Sequence, residues 1–224
     1  RTIMQSHFNR IPNQLSRITM IGPTKDDQIF ASCCEDGTFR LWDFEKYVQD
    51  KICNLCIGEV KRNPTTNKLE LPPESIPTCM DMNNGNFSAV GCKDGTLRIY
   101  ETEVFNQFKI LKIGTSAITS VSISPDSKYC IVGFFDGQAT LYAADSWVEV
   151  KPLAINPKET IVATDWTTNS KLLAVETISK KVHYFDIGKN SANSTHELNL
   201  DLNTLIWKSG TIYSSWNLQG FRKQ

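Results

Sequence analysis

Apolar and polar positions along this chain fall into a pattern that returns. Four stretches align without a gap: ITMIGPTKDDQIFASCCEDG (18–37), IPTCMDMNNGNFSAVGCKDG (76–95), ITSVSISPDSKYCIVGFFDG (118–137) and IVATDWTTNSKLLAVETISK (161–180). Each opens on isoleucine, and nineteen positions later three of the four carry glycine. Each is followed by a short apolar-rich run: TFRLWDF, TLRIYET, QATLYAA and KVHYFDI. Turn-forming clusters (PTKDD, MNNGN, SPDSK, TTNSK) divide the apolar runs. Short apolar runs bounded in this way predict β-strands. In TFRLW, Phe39 and Leu41 fall on one face and Trp42 on the other, so both faces carry bulk. A sheet with one wetted face would alternate more cleanly.

Asp-Gly stands between the second and third runs at Asp36-Gly37, Asp94-Gly95 and Asp136-Gly137. It is a strong hairpin signal, because tight hairpins need φ > 0 in the turn. FKILKIG and VEVKPLA supply a weaker fourth strand. The opening isoleucines are 58, 42 and 43 residues apart. A period near forty with four short strands is the signature of propeller blades. The chain therefore predicts an all-β fold, a partial β-propeller of about four and a half blades. These cover 18–75, with an inserted loop at 45–75, then 76–117, 118–160 and 161–201. An incomplete closing blade covers 202–224 and contains the looser copy LNTLIWKSGTIYSSWNLQG (202–220). An open array of this kind exposes strand edges, which natural proteins avoid. The expectation is that further blades of a larger, seven-bladed ring lie beyond this chain, which begins with arginine, or that a partner covers the edge.

Asp-Gly followed by TFRLWD at this period resembles WD40 repeats. Only Trp42-Asp43 is the literal pair; the other copies read Tyr100-Glu101, Tyr142-Ala143 and Phe185-Asp186. The Gly-His pair of many such repeats is missing, its nearest match being Gly114-Thr115, so the family's histidine-to-tryptophan network is expected to be absent or rebuilt. The C-terminal half, most specifically its last sixty or so residues, is similar to the closing blades of echinoderm microtubule-associated protein-like proteins. The resemblance rests on Asp165-Trp166, the strand from Lys171 to Val175, Tyr184-Phe185, Trp207, Thr211 and Gly220-Phe221. It departs from the family at Arg222-Lys223-Gln224. It implies a non-enzymatic scaffold in the cytoplasm, associated with microtubules or a ciliary axoneme, with tubulin or axonemal proteins as partners. The alternative is a WD40 adaptor in a nuclear or ubiquitin-ligase assembly without tubulin contact.

Composition trims this picture. Lysine plus arginine number 24 and aspartate plus glutamate 24, so the chain lacks the basic excess of a nucleic-acid binder. No apolar run is long enough to span a bilayer. Seven cysteines, an odd count with several inside apolar strands, read as reduced thiols. Cys53 and Cys56 form a lone C-x-x-C with no second pair or nearby histidine, so no metal is expected. No nucleophile elbow or phosphate-binding glycine loop is present. His183 sits in a strand, while His7 and His196 lie in polar contexts. Asp36, Asp94 and Asp136 read as turn residues rather than a carboxylate ring. No catalysis, cofactor or small-molecule substrate is expected. The partner-binding candidates are Lys61, Arg62 and Lys68 in the insertion, where prolines restrict the backbone, and Lys180-Lys181, at the tip where the other copies have Asp-Gly and Lys180 stands in the glycine column. The plainer reading of both is a solvated surface.

Overall fold

The computed structural model describes residues 17–23, 29–43, 48–54, 61–67, 69–70, 76–82, 87–101, 107–155, 158–187, 205–209 and 212. Each repeat forms its own antiparallel sheet. The first holds β1 (Ile18–Pro23), β2 (Ile29–Cys34), β3 (Thr38–Asp43) and β4 (Val48–Asn54) in that order. A separate two-stranded sheet follows, β5 (Lys61–Arg62) with β6 (Leu69–Glu70). The second repeat holds β7 (Pro77–Met82), β8 (Phe87–Cys92), β9 (Thr96–Glu101) and β10 (Gln107–Lys112). The third holds β11 (Ile118–Ile123), β12 (Tyr129–Phe134), β13 (Ala139–Ala143) and β14 (Glu149–Pro152). The fourth shows β15 (Ile161–Trp166), β16 (Leu172–Thr177) and β17 (Val182–Asp186). No helix occurs among the described residues.

The span 45–75 is not all loop. Val48–Asn54 is the fourth strand of the first sheet, paired with β3 from Thr38↔Asn54 to Asp43↔Val48. Without it the main-chain polar groups on that edge of β3 would lack ladder partners. Its polar sequence, VQDKICN, hides this role, because pairing is a backbone property that composition does not report.

The hairpins between second and third strands share one geometry. Gly37 N–H donates to the Cys34 carbonyl at 3.0 Å, Gly95 to Cys92 at 3.2 Å and Gly137 to Phe134 at 3.2 Å. The glycines have φ of 77°, 86° and 90°. The aspartates before them are not in the left-handed region. The loop is therefore an ordinary turn closed by one left-handed residue, not a two-residue turn with both centres at φ > 0. Lys180 occupies the glycine position of the fourth copy, with φ 62° and its N–H 2.9 Å from the Thr177 carbonyl.

The chain divides into two compact units, one ending at Ile118 and one beginning at Thr119. In the first, Phe39, Leu41, Met80, Met82, Val90 and Tyr100 pack as a core, with the Phe39 and Tyr100 rings 5.5 Å apart. In the second, Ile131, Leu141, Ile161, Trp166, Leu173 and Phe185 do the same. Trp166 is fully buried, and its indole N–H reaches the Ser122 carbonyl at 3.2 Å. β3 and β9 are buried on both faces, as their two-sided bulk predicts.

A strand glycine sets the fit in each unit. A Cβ built on Gly91 would lie 2.5 Å from Cγ2 of Ile118, and one on Gly133 would lie 2.5 Å from Cγ2 of Ile161. Both isoleucines are fully buried. The isoleucine that opens one repeat thus fills the space left by the missing side chain of the repeat before it.

Candidate interaction surface

The non-repeat hairpin is built by its own turn. Lys61 pairs with Glu70 and Arg62 with Leu69. Between them the Asn63 side-chain oxygen accepts the N–H groups of Thr65 (2.9 Å) and Thr66 (3.2 Å), and Asn67 N–H returns to the Asn63 carbonyl at 2.9 Å. Pro64 presets the bend, and Asn67 accepts φ 55°, which asparagine tolerates better than most residues. Arg62 is exposed, but its guanidinium donates to the Asn67 carbonyl and side-chain oxygen, both at 3.0 Å. It braces the hairpin while keeping its charge at the surface. Lys61 is placed by its backbone in β5; Lys68 lies outside the described residues.

The second candidate pair sits on the turn from β16 to β17. Lys180 and Lys181 are both exposed. Lys181 Nζ is 3.1 Å from Oε1 of Glu159, whose Oε2 accepts the hydroxyls of Ser179 and, at 2.8 Å, Thr177. Donation from Ser179 first, then from Thr177 and Lys181, pulls the Glu159 carboxyl down to about 2. Lys61 and Arg62 fall in the first unit and Lys180 and Lys181 in the second.

Sequence reading missed the neighbours of Lys180. Ile178 is 65% exposed and Phe135, at the matching place in the preceding repeat, is 61% exposed. Val162 is 50% exposed. Each ends or interrupts an apolar strand run, so composition assigns it to the core. The available signal is position: Phe135 and Ile178 each stand two residues before the left-handed turn residue, where earlier copies have Glu35 and Lys93.

The chemistry-bearing groups elsewhere are occupied with structure. Asp36 Oδ1 accepts Thr38 N–H at 2.9 Å, and Asp36 meets the buried Arg40 at 3.5 Å. Asp94 accepts Thr96 N–H at 2.9 Å and Lys112 Nζ at 2.7 Å. Burial works against ionisation of Asp94, yet donation from Lys112 and Thr96 outweighs it and holds the carboxyl below its usual range. Asp136 accepts Gln138 N–H at 3.2 Å. Burial pushes the Cys79 thiol up to about 12 and those of Cys34 and Cys92 up to about 11, and it raises Cys33 well above the usual thiol value. These thiols stay protonated at neutral pH and are poor nucleophiles. His183 is buried in β17. Among the described residues, no three His, Cys, Asp or Glu side chains converge on a metal position. The C-x-x-C thiols and His7 and His196 are not among the described side chains. Trp42 Nε1 donates to Ser32 Oγ at 2.7 Å, so the tryptophan has a buried partner on the neighbouring strand without a Gly-His pair.

Successive four-stranded antiparallel sheets, closed by the same turn and faced with apolar side chains, define the blades of a β-propeller-type repeat protein. The family model described as "WD domain, G-beta repeat" matches residues 7–43 and 106–142. The chain is also similar to Elongator complex protein 2 of Schizosaccharomyces pombe (strain 972 / ATCC 24843), 34% identical over 109 residues. That match covers 43% of this chain and 14% of the yeast protein's length.

Proposed function

We propose that this chain is a protein-docking module that serves as a subunit of a larger assembly. The observation that carries this reading is the division of labour in the repeats. Blade after blade, the turn carboxylates brace local backbone and the buried thiols are protonated, while the β5–β6 hairpin and the turn near Lys180 stand exposed on rigid sheets. WD40 repeats and likeness to a protein named as part of a complex support the same reading. The test is cross-linking and mass spectrometry on the full-length protein at native expression. Recovery in stoichiometric complexes is expected; recovery as a lone chain overturns the reading.

A second, narrower reading is a cytoplasmic role on microtubules. It is supported by the resemblance of the closing blades around Asp165-Trp166 and by Lys61, Arg62 and Lys68, which would suit the acidic tails of tubulin. Co-sedimentation with microtubules tests it. Pelleting that falls on reversing those three charges favours it, and pelleting indifferent to them removes the hairpin from consideration.

A further inference from the structure

The second unit turns apolar side chains outward where the first has charge. Phe135 and Ile178 occupy the turn positions held by Glu35 and Lys93 in the earlier repeats. Thr160 joins them: its hydroxyl donates to the Phe135 carbonyl at 2.7 Å, and its own carbonyl accepts Ile178 N–H at 2.9 Å. Val162, two residues on in β15, is also half exposed. Single exposed apolar residues need no explanation, but two whose main chains are tied to one bridging residue mark a surface that gains by being covered.

The margin of this patch is cationic and strained. Lys158 has φ 91° and Lys180 φ 62°. Three sister turns use glycine where Lys180 stands, and glycine would relieve the conformation at no steric cost. Backbone strain retained beside an exposed apolar patch points to a need for the side chain. Of the two acids alongside, Glu159 is taken by Ser179, Thr177 and Lys181, while Asp136 keeps its charge, accepts Gln138 N–H and makes no ion pair among the described residues. Lys158 and Lys180 make no ion pair among the described residues. The patch therefore offers apolar contact flanked by positive charge that its own acids do not claim.

We propose that Phe135, Ile178 and Val162, with Lys158 and Lys180, form a docking site for a partner segment in which apolar side chains are flanked by Asp or Glu. This deepens the protein-docking reading and rests on it.

The test is selection of a random dodecapeptide phage library on the full chain. Enriched peptides are then synthesised with fluorescein and titrated by anisotropy. Enrichment of Leu, Ile or Phe beside Asp or Glu is expected. Phe135→Glu combined with Ile178→Glu should weaken those peptides by about tenfold or more. Both side chains are exposed, so melting of this variant should match the parent. Lys180→Gly should weaken binding by roughly threefold while raising the melting temperature, since it removes both the charge and the strain. A purely structural role for Lys180 would not separate the two readouts in that direction. The proposal is overturned if acidic–apolar peptides are not enriched, or if they bind the Phe135/Ile178 variant as tightly as the parent. The latter result leaves protein docking intact at another surface, whereas failure of docking itself would appear as a lone chain in the cross-linking experiment.

Discussion

The hairpins at residues 92–96 and 177–181 reach the same shape from different residues. In the first, Asp94 is the local carboxylate and Gly95 supplies φ 86°. In the second, Ser179 replaces the aspartate, Lys180 is held at φ 62°, and the carboxylate comes from Glu159, eighteen residues upstream of Thr177. Each carboxylate takes threonine donation and a lysine: Thr96 and Lys112 at Asp94, Thr177 and Lys181 at Glu159. The turn thus tolerates loss of Asp-Gly when an acid on another segment takes over. What it loses is conformational ease, and what it gains is a free choice of side chain at the tip.

Breaking the glycine version should have the largest effect. A Cβ at Gly95 would sit 2.5 Å from the Gly114 carbonyl oxygen and 2.7 Å from that of Ser116, both main-chain atoms. Left-handed strain and overpacking together predict that Gly95→Ala destabilises the fold by about 3 kcal/mol, read by urea unfolding. An unchanged midpoint would mean the two turns are not equivalent.

Glu159→Gln removes the borrowed carboxylate and should lower the melting temperature at neutral pH, with a diagnostic pH signature. The folded carboxyl lies at about 2, below its usual unfolded value near 4.3. Its contribution is therefore full above the unfolded value and disappears as pH falls from about 5 towards about 2. The gap in melting temperature between parent and variant should close across that window; a constant gap would assign Glu159 a role in packing instead.

Lys180→Gly should convert the fourth turn to the type of the first three and stabilise it by about 1 kcal/mol, measured as a rise in unfolding midpoint. Smallest of all, Arg62→Glu removes a brace from an exposed hairpin and should change stability by less than about 0.5 kcal/mol in the same assay. A larger loss would show that β5–β6 is part of the core fold and not an appendage.

Much of the scaffold was legible because repetition exposes it. Asp-Gly at fixed spacing located three of the four turns, and two-sided strands such as TFRLW announced sheets covered on both faces. Lys180 could even be assigned to the glycine column by alignment. The compensation could not be read, because Glu159 meets Ser179 only through the fold and nothing in KETIV marks it as a turn residue. Phe135 and Ile178 escaped for the opposite reason. Each looks like one more apolar residue of its strand, and exposure depends on which residue the turn lifts clear. Thus Phe134 is 2% exposed and Phe135 61%. Of the basic candidates, Arg62 proved to be part of its hairpin's own hydrogen bonding, which its charge alone does not foretell.

The two strand glycines have a consequence for how such a chain can be edited. Gly91 receives Ile118 and Gly133 receives Ile161, so two of the repeats are seated on the one that follows by the same pair of residues. The matching positions elsewhere hold Cys33 and Glu176, so the device is confined to these two joints. Because both joints use one glycine and one isoleucine, exchanging the isoleucine-bearing copies between them preserves the fit, whereas a side chain added at either glycine does not.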